Sequence, residues 1–399
     1  MILARKHILF VALPLSVLAL FCWRRTTTIY EYPDYASSPI VFNETQFRGP
    51  ANATLGFEAV IAVSSANSPR RQKLIHAANV TELELTILQQ PVWTEEDVQN
   101  FTDTLMWRTA RDTGRGTVLA WLSHFYTLKW FLDSGLETAL ILEDDVDWDI
   151  RLRTVQIPEA AAAMRSMAEP STTYWGNLSL WDTIYLGHCG DWFGTLDQGV
   201  GPGHQSPATL DPLVHTIYHD ESLLARQDLH PFTKNLMDAL EMEEKTRVIH
   251  QSVLPLCTFG YAVTRAGAKR IIEEVAPVAA PDLAAFDSAM AHGCRIRGLK
   301  CFTVNPELFH HMVGDSIIAL EDHREKIYPP PVDAEGAAQV QNRKESSNIG
   351  CGFWSGEFDF DSDERLNMLR EEVGRKGRCL KPGREQIEIE TGDNASYQR

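Results

Sequence analysis

Thr138-Ala-Leu-Ile-Leu-Glu-Asp-Asp-Val-Asp-Trp148 joins an apolar run, Ala139 to Leu142, to four acids within five residues: Glu143, Asp144, Asp145 and Asp147. The run has the length and bounds of a buried strand. Acids at the C-terminal end of such a strand lie where open α/β sheets bind their ligands. Clustered carboxylates repel one another, so folding them together costs free energy unless a cation or basic partners neutralise them. Oxygen-only donors point to a hard divalent ion, Mg²⁺ or Mn²⁺, that grips a phosphate in turn. A solvated acidic loop is the plain alternative; the buried strand ahead of it favours the metal.

Working outward, Phe57 to Ser64 reads as a first strand and Leu83 to Leu88 as a second. Between them, Ser68-Pro69 opens a helix carrying Arg70, Arg71 and Lys73, the arrangement that suits a nucleotide phosphate. The alternative is that these cations are ordinary helix-surface charges. Thr117 to Leu132 is a strongly apolar helix interrupted by Ser123 and His124, and it feeds the acidic strand through a turn at Asp133-Ser-Gly135. Strand, helix, strand in this order predicts right-handed parallel crossovers. Beyond the acids, helices are expected near Pro158–Met167 and Arg265–Val275, with strands at Thr183–Gly187, Thr258–Thr264 and Gly298–Val304. His188 and Asp191 follow one strand end, and Asp287 lies in a later helical stretch. Residues 194–215 read as a mobile loop, 305–316 as a loop, 323–350 as a linker, and 351–399 as an appendage and tail.

The chain has 399 residues, 44% hydrophobic and 23% charged, which places it among globular proteins. Its formal charge of −17 argues against nucleic-acid binding. Ile8 to Trp23 is apolar and flanked by Arg5-Lys6 and Arg24-Arg25. It reads as an uncleaved signal anchor (residues 1–25), with a cleaved signal peptide as the rival. Residues 26–55 then form a stem, and a catalytic domain occupies 56–322. Sequons at Asn43, Asn52, Asn79, Asn100, Asn177 and Asn394 all follow the anchor and point to a luminal chain. Six cysteines outside the anchor allow three disulfides in fifteen connectivities.

Several stretches line up in order: Gly116-Thr-Val-Leu-Ala-Trp-Leu-Ser-His124, Leu140-Ile-Leu-Glu-Asp-Asp145, Phe259-Gly-Tyr-Ala-Val-Thr-Arg-Ala-Gly-Ala-Lys269, and Asn305-Pro-Glu with His311 and Gly314-Asp315. Together they resemble glycosyltransferase family 25, the lipopolysaccharide and collagen galactosyltransferases, in the style of fungal members. The resemblance spans residues 57–317. It implies a GT-A-like, Rossmann-related α/β fold with a mostly parallel sheet flanked by helices. It also implies a UDP-sugar donor (usually UDP-galactose), inversion at the anomeric carbon and use of manganese. Glu143-Asp144-Asp145 matches the family's acidic motif and His311 its late histidine.

The metal set is therefore expected to be Asp145, Asp147 and His311. Ser64, Arg70, Arg71, Ser123, His124, Glu143 and Asp144 are expected around the nucleotide-sugar. Asp287 is the expected base, with Asp191 and His188 behind it. Ala120 departs from the cysteine many members carry, and the stretch from 188 to 257 is long; both leave the acceptor (glycan, protein or lipid hydroxyl) open. The anchor and stem resemble those of type II Golgi or endoplasmic-reticulum membrane transferases. A catalytically inactive luminal lectin and a metal-dependent phosphohydrolase are the other classes, the latter wanting a second set of metal ligands that is not evident.

Overall fold

The computed structural model describes residues 49–105, 113–167, 173–194, 208–279, 283–312 and 345–384, with Phe47, Pro281, Ile318 and Glu321 besides. The chain divides into two units, Met1–Phe42 and Asn43–Arg399, and everything described belongs to the second. The expected anchor, most of the stem, most of the 194–215 loop and Gly314-Asp315 lie outside the described residues. No described helix is long and apolar enough to cross a membrane.

The first half alternates strand and helix. β1 (Ala59–Val63) leads through α1 (Arg71–Thr81) to β2 (Leu85–Ile87), then α2 (Glu95–Thr104), α3 (Arg115–Ser134), β3 (Thr138–Glu143) and β4 (Val146–Trp148). A π-helical turn (Leu152–Gln156) and α4 (Ile157–Ser166) precede β5 (Thr183–Gly187), β6 (Gly190–Asp191) and β7 (His215–His219). Then come α5 (Pro231–Ala239), β8 (Thr246–Gln251), β9 (Pro255–Leu256), β10 (Gly260–Thr264) and α6 (Arg265–Arg270). The described elements end with α7 (Phe286–Ile296), β11 (Cys301–Asn305), β12 (Phe309–His311), α8 (Asp363–Leu369) and a π-helical turn (Arg370–Arg375).

Local chemistry sets several boundaries. Thr94 and Asp97 form a reciprocal capping box at the start of α2. α3 ends where Gly135 takes the left-handed conformation (φ 82°) that a side chain would resist. The Thr264 hydroxyl caps α6 through the Gly267 N–H.

The strands order as β2-β1-β3-β10-β5-β11-β8-β7, with β4 and β12 attached off that path. Along it β2, β1, β3, β5, β11 and β7 run one way and β10 and β8 the other. The sheet is thus mostly parallel, and β3 lies inside it between β1 and β10, which explains its continuous apolar run. Successive side chains alternate between faces. Leu140 and Leu142 pack with α1 and α4, whereas Ala139 and Ile141 pack with α3 and α7. The domain is therefore a three-layer α/β/α sandwich.

Several expectations need correction. The loop 305–316 contains β12, which pairs antiparallel with β4 and parallel with β5. The long stretch 188–257 carries the β7–β8 pair and α5. Most of the expected linker (323–344) and the last residues (385–399) lie outside the described residues, but 345–384 are not separate from the domain: Glu345, Ser346 and Asn348 are buried, and Cys351, Phe353, Phe358, Leu369 and Val373 belong to the α1-side core. Likewise Ala51 and Leu55 are buried, so the folded part begins inside the expected stem. The six cysteines pair as Cys189–Cys257, Cys294–Cys301 and Cys351–Cys379.

Under the β7–β8 edge, Arg247 Nε meets Asp220 Oδ2 at 2.5 Å with both side chains essentially buried. Burial alone would raise the Asp220 carboxyl, but Arg247 and the Ser222 hydrogen bonds outweigh it and hold it below the usual range. A depressed carboxylate stabilises the fold above its unfolded pKa, and that contribution is lost as pH falls through the folded value. The Asp220 contribution, read as the melting-temperature gap between wild type and Asp220→Asn, should hold steady down to about pH 4 and shrink below it. Asp220→Asn strands the buried guanidinium and should cost about 3–5 kcal/mol in denaturant unfolding at pH 7.

Candidate active site

The acid turn sits where β3 ends, and strand alternation sends its carboxylates apart. Glu143 continues the Ala139–Ile141 face, so it points toward α3 and α7. There its Oε1 lies 3.4 Å from His124 Nε2. The His124 ring stacks on Phe286 at 4.7 Å, and its Nδ1 is 3.2 Å from the Tyr261 hydroxyl. Asp287, one residue on, is half-buried, and its Oδ1 accepts the Ser288 N–H at 2.6 Å. Burial pushes its carboxyl up and the Glu143 charge adds to this, while Ser288 and His124 work against it. Glu143, His124 and Asp287 therefore form one electrostatic group.

Asp144 points to the other face, where β1 ends and α1 begins. Its Oδ2 accepts the buried Ser64 hydroxyl at 2.7 Å. Arg71 in turn donates to Ser64, from Nε to Oγ at 3.1 Å and from Nη2 to the carbonyl at 2.9 Å. Arg70, immediately ahead of α1, spans two acids: Nε is 3.4 Å from Asp144 Oδ1 and Nη1 donates to Asp145 Oδ2 at 2.7 Å. The first turn of α1 thus delivers both guanidinium groups to the acid turn, where the positive end of the helix dipole reinforces them.

Asp145 is the strained member. Its Oδ1 is buried without a hydrogen-bond partner. Burial, then the Glu143 charge, raise its carboxyl to about 7 despite Arg70. His311, on β12, is 4% exposed and stacks on His310 with ring centroids 4.5 Å apart. Burial holds it well below the ordinary histidine range, and it lies close enough to feel the charges of Glu143 and Arg70. The neutral imidazole that results is the form that binds metals.

These residues suit a hard cation in part. The donors are carboxylate oxygens, and the orphaned Asp145 Oδ1 wants positive charge. Among the described residues, however, no three His, Cys, Asp or Glu side chains converge on one ion position. A magnesium-like ion held by one or two carboxylates and completed by substrate phosphates needs no such cage.

Three expected site residues belong elsewhere. Asp147 is not a metal ligand: its carboxylate is consumed by the N–H groups of Trp148, Phe353 and Trp354 and by the Ser346 hydroxyl. Asp191 is no base, because its two oxygens accept from Val253 N, Leu254 N and the Thr303 hydroxyl. His188 is fully buried, with Nε2 on the Val304 carbonyl and Nδ1 accepting from Gly190 N, so both ring nitrogens are engaged in holding backbone. At Ser123, the Thr127 hydroxyl bonds the backbone carbonyl, leaving the expected role of its side chain a proposal. Two residues that sequence reading missed are Tyr261 and Phe286, which fix the His124 ring; both lie on apolar stretches that read as core.

No protein-family model matches this chain, and no curated protein matches it. Among solved structures, a glycosyltransferase involved in the glycosylation of the major capsid of PBCV-1 aligns with 66% of this chain and 97% of its own. The identity is 11% and the TM-score 0.28, too low to say what this chain acts on.

The Asp145 geometry makes a direct prediction. A carboxyl raised in the folded state destabilises the fold as pH climbs from its unfolded value near 4 toward about 7, because only the unfolded chain sheds its proton easily. Asp145→Asn should therefore raise the melting temperature at pH 8 and change it little at pH 4. Equal effects at both values would contradict the assignment.

Proposed function

We propose that the protein is an inverting glycosyltransferase of the family 25 type, moving a hexose from a UDP-sugar to a hydroxyl acceptor. The observation that carries this reading is the split acid turn at the end of a central strand. One acid, Asp144, is locked to a helix start bearing two arginines. Another, Asp145, is buried with an oxygen left unsatisfied. The third, Glu143, faces a separate group holding Asp287. A diphosphate leaving group on the arginine side and an acceptor on the Asp287 side would meet across Glu143.

Asp145, with Glu143 or Asp144, would hold Mn²⁺ or Mg²⁺ beside the donor phosphates, and His311 borders that position. When bound, such an ion supplies Lewis-acid stabilisation of the charge that develops on the leaving pyrophosphate. Arg70 would release Asp145 and take a phosphate oxygen, for which its planar fork is suited. Arg71 keeps Ser64 and Asp144 in place while this happens. On the other side, Asp287 accepts the acceptor hydroxyl proton; its raised pKa brings it nearer the range where a base works at neutral pH. His124, clamped by Phe286 and Tyr261, holds Glu143 in register between the two halves. Galactose as the sugar, and placement in the Golgi or endoplasmic-reticulum membrane through the N-terminal segment, come from the family resemblance and from the sequons. Of the described sequons, Asn52, Asn100 and Asn177 are exposed, whereas Asn79 donates its Nδ2 to the Ile75 carbonyl within α1.

The test is hydrolysis of a panel of UDP-sugars by residues 43–399, with and without Mn²⁺. One UDP-sugar should be hydrolysed slowly, and the activity should vanish with EDTA and in Asp145→Ala. Asp287→Asn should keep donor affinity while losing transfer by roughly 10²–10⁴-fold. A folded protein that binds no donor in a thermal-shift assay would move the sugar-binding, inactive reading to the front.

A further inference from the structure

The acid that leaves the donor site, Asp147, ties the site to a distant part of the chain. Its Oδ1 accepts from Phe353 N at 2.6 Å, and its Oδ2 from the Ser346 hydroxyl at 3.0 Å and Trp354 N at 3.3 Å. Asp149 repeats the arrangement: Oδ2 accepts from Cys351 N at 2.9 Å, and Ile150 N donates to the Cys351 carbonyl at 3.0 Å. Two successive acids on one strand thus lace β4 and its extension to residues 346–354. The same segment reaches α1, where Lys73 Nζ donates to the Trp354 carbonyl at 2.9 Å, one helical turn after Arg70. One strap therefore holds both elements that face each other across the donor site: β4, which follows Asp145, and α1, which follows Arg70.

The strap is closed on itself. Cys351 is bonded to Cys379. Buried Glu345 accepts from Gly352 N at 2.8 Å and pairs with Lys381 at 2.9 Å and Arg384 at 3.1 Å. The contact is too close for a side chain at 352, since a Cβ there would collide with the Asp147 carboxylate. Gly352 is required for space, and its backbone is not left-handed.

We propose that residues 345–384 are a clasp that sets donor affinity by fixing the acid turn against the start of α1. Asp147 is its positioning residue, and the Cys351–Cys379 bond keeps it closed. The proposal rests on the donor reading given above. It makes the catalytic unit extend to Arg384, past the boundary at 322 that the motifs outline. Asp147 touches no substrate in this account; it acts through Asp145, two residues away.

The test uses the full-length chain with Gly352→Ala and with the double variant Cys351→Ser/Cys379→Ser. Three readouts apply: hydrogen exchange at residues 143–148, UDP-sugar hydrolysis kinetics, and thermal melting. With either variant still folded, the amides of 144–148 should exchange about tenfold faster while those of β1 and β10 keep their protection. The donor KM should rise about fivefold or more, with kcat for hydrolysis changed less than about twofold. If both variants fail to fold, Ser346→Ala, which removes one bond to Asp147, should show the same pattern at smaller size. Wild-type exchange at 144–148 in a folded variant overturns the clasp. So does faster exchange spread evenly over the sheet, which marks a purely global role. A wild-type protein that turns over no UDP-sugar refutes the donor reading instead, and the exchange arm still decides whether the strap holds the turn.

Discussion

Burying acids beside one another is the constraint on which this structure depends. Three consecutive carboxylates end the central strand, and each needs a neutralising partner in a setting poor in water. The sheet supplies the answer geometrically, since alternate residues face opposite layers. Glu143 finds His124 in one layer, and Asp144 and Asp145 find Arg70 in the other. The price is Asp145, which keeps an unsatisfied oxygen and a proton affinity far above that of an ordinary aspartate. A site that binds an anionic, cation-bearing ligand is expected to hold such stored cost, because ligand binding then relieves it.

This arrangement explains why the rest of the chain is placed as it is. α1 must start at the end of β1, so that Arg70 and Arg71 arrive at the turn together. α3 must be long and apolar enough to carry His124 under Glu143, where Phe286 and Tyr261 clamp its ring. β12 folds back beside β4 and brings His311 to the edge of the cluster, with Met312 N bonded to the Asp145 carbonyl at 2.6 Å. The strap closes the other side.

Much of this was legible in residue order. The apolar run before Glu143, the Ser68-Pro69 helix start and the long apolar helix each carry a local signal, and their succession predicts the parallel layers. The failures share one physical cause. Asp145 and Asp147 are the same residue type two positions apart, and only a contact with an amide about two hundred residues later marks Asp147 as a tether. Asp191 and His188 follow a strand end, the usual address of a ligand site, yet their polar atoms are taken up by backbone groups and, for Asp191, the Thr303 hydroxyl of β11. Glu345-Ser-Ser-Asn348 is polar enough to read as a linker. Glu345, Ser346 and Asn348 are buried with specific partners, and composition does not record partners.

On the proposed reading, Arg70 holds the place of the ligand's charge and gives it up when the donor arrives. A crystal structure of the protein with UDP and Mn²⁺ tests this most directly. The ion is expected against Asp145, the diphosphate at the start of α1, and the Arg70 guanidinium moved from Asp145 to a phosphate oxygen. Nucleotide bound elsewhere, or bound with the Arg70–Asp145 pair intact and no ion on Asp145, would contradict it.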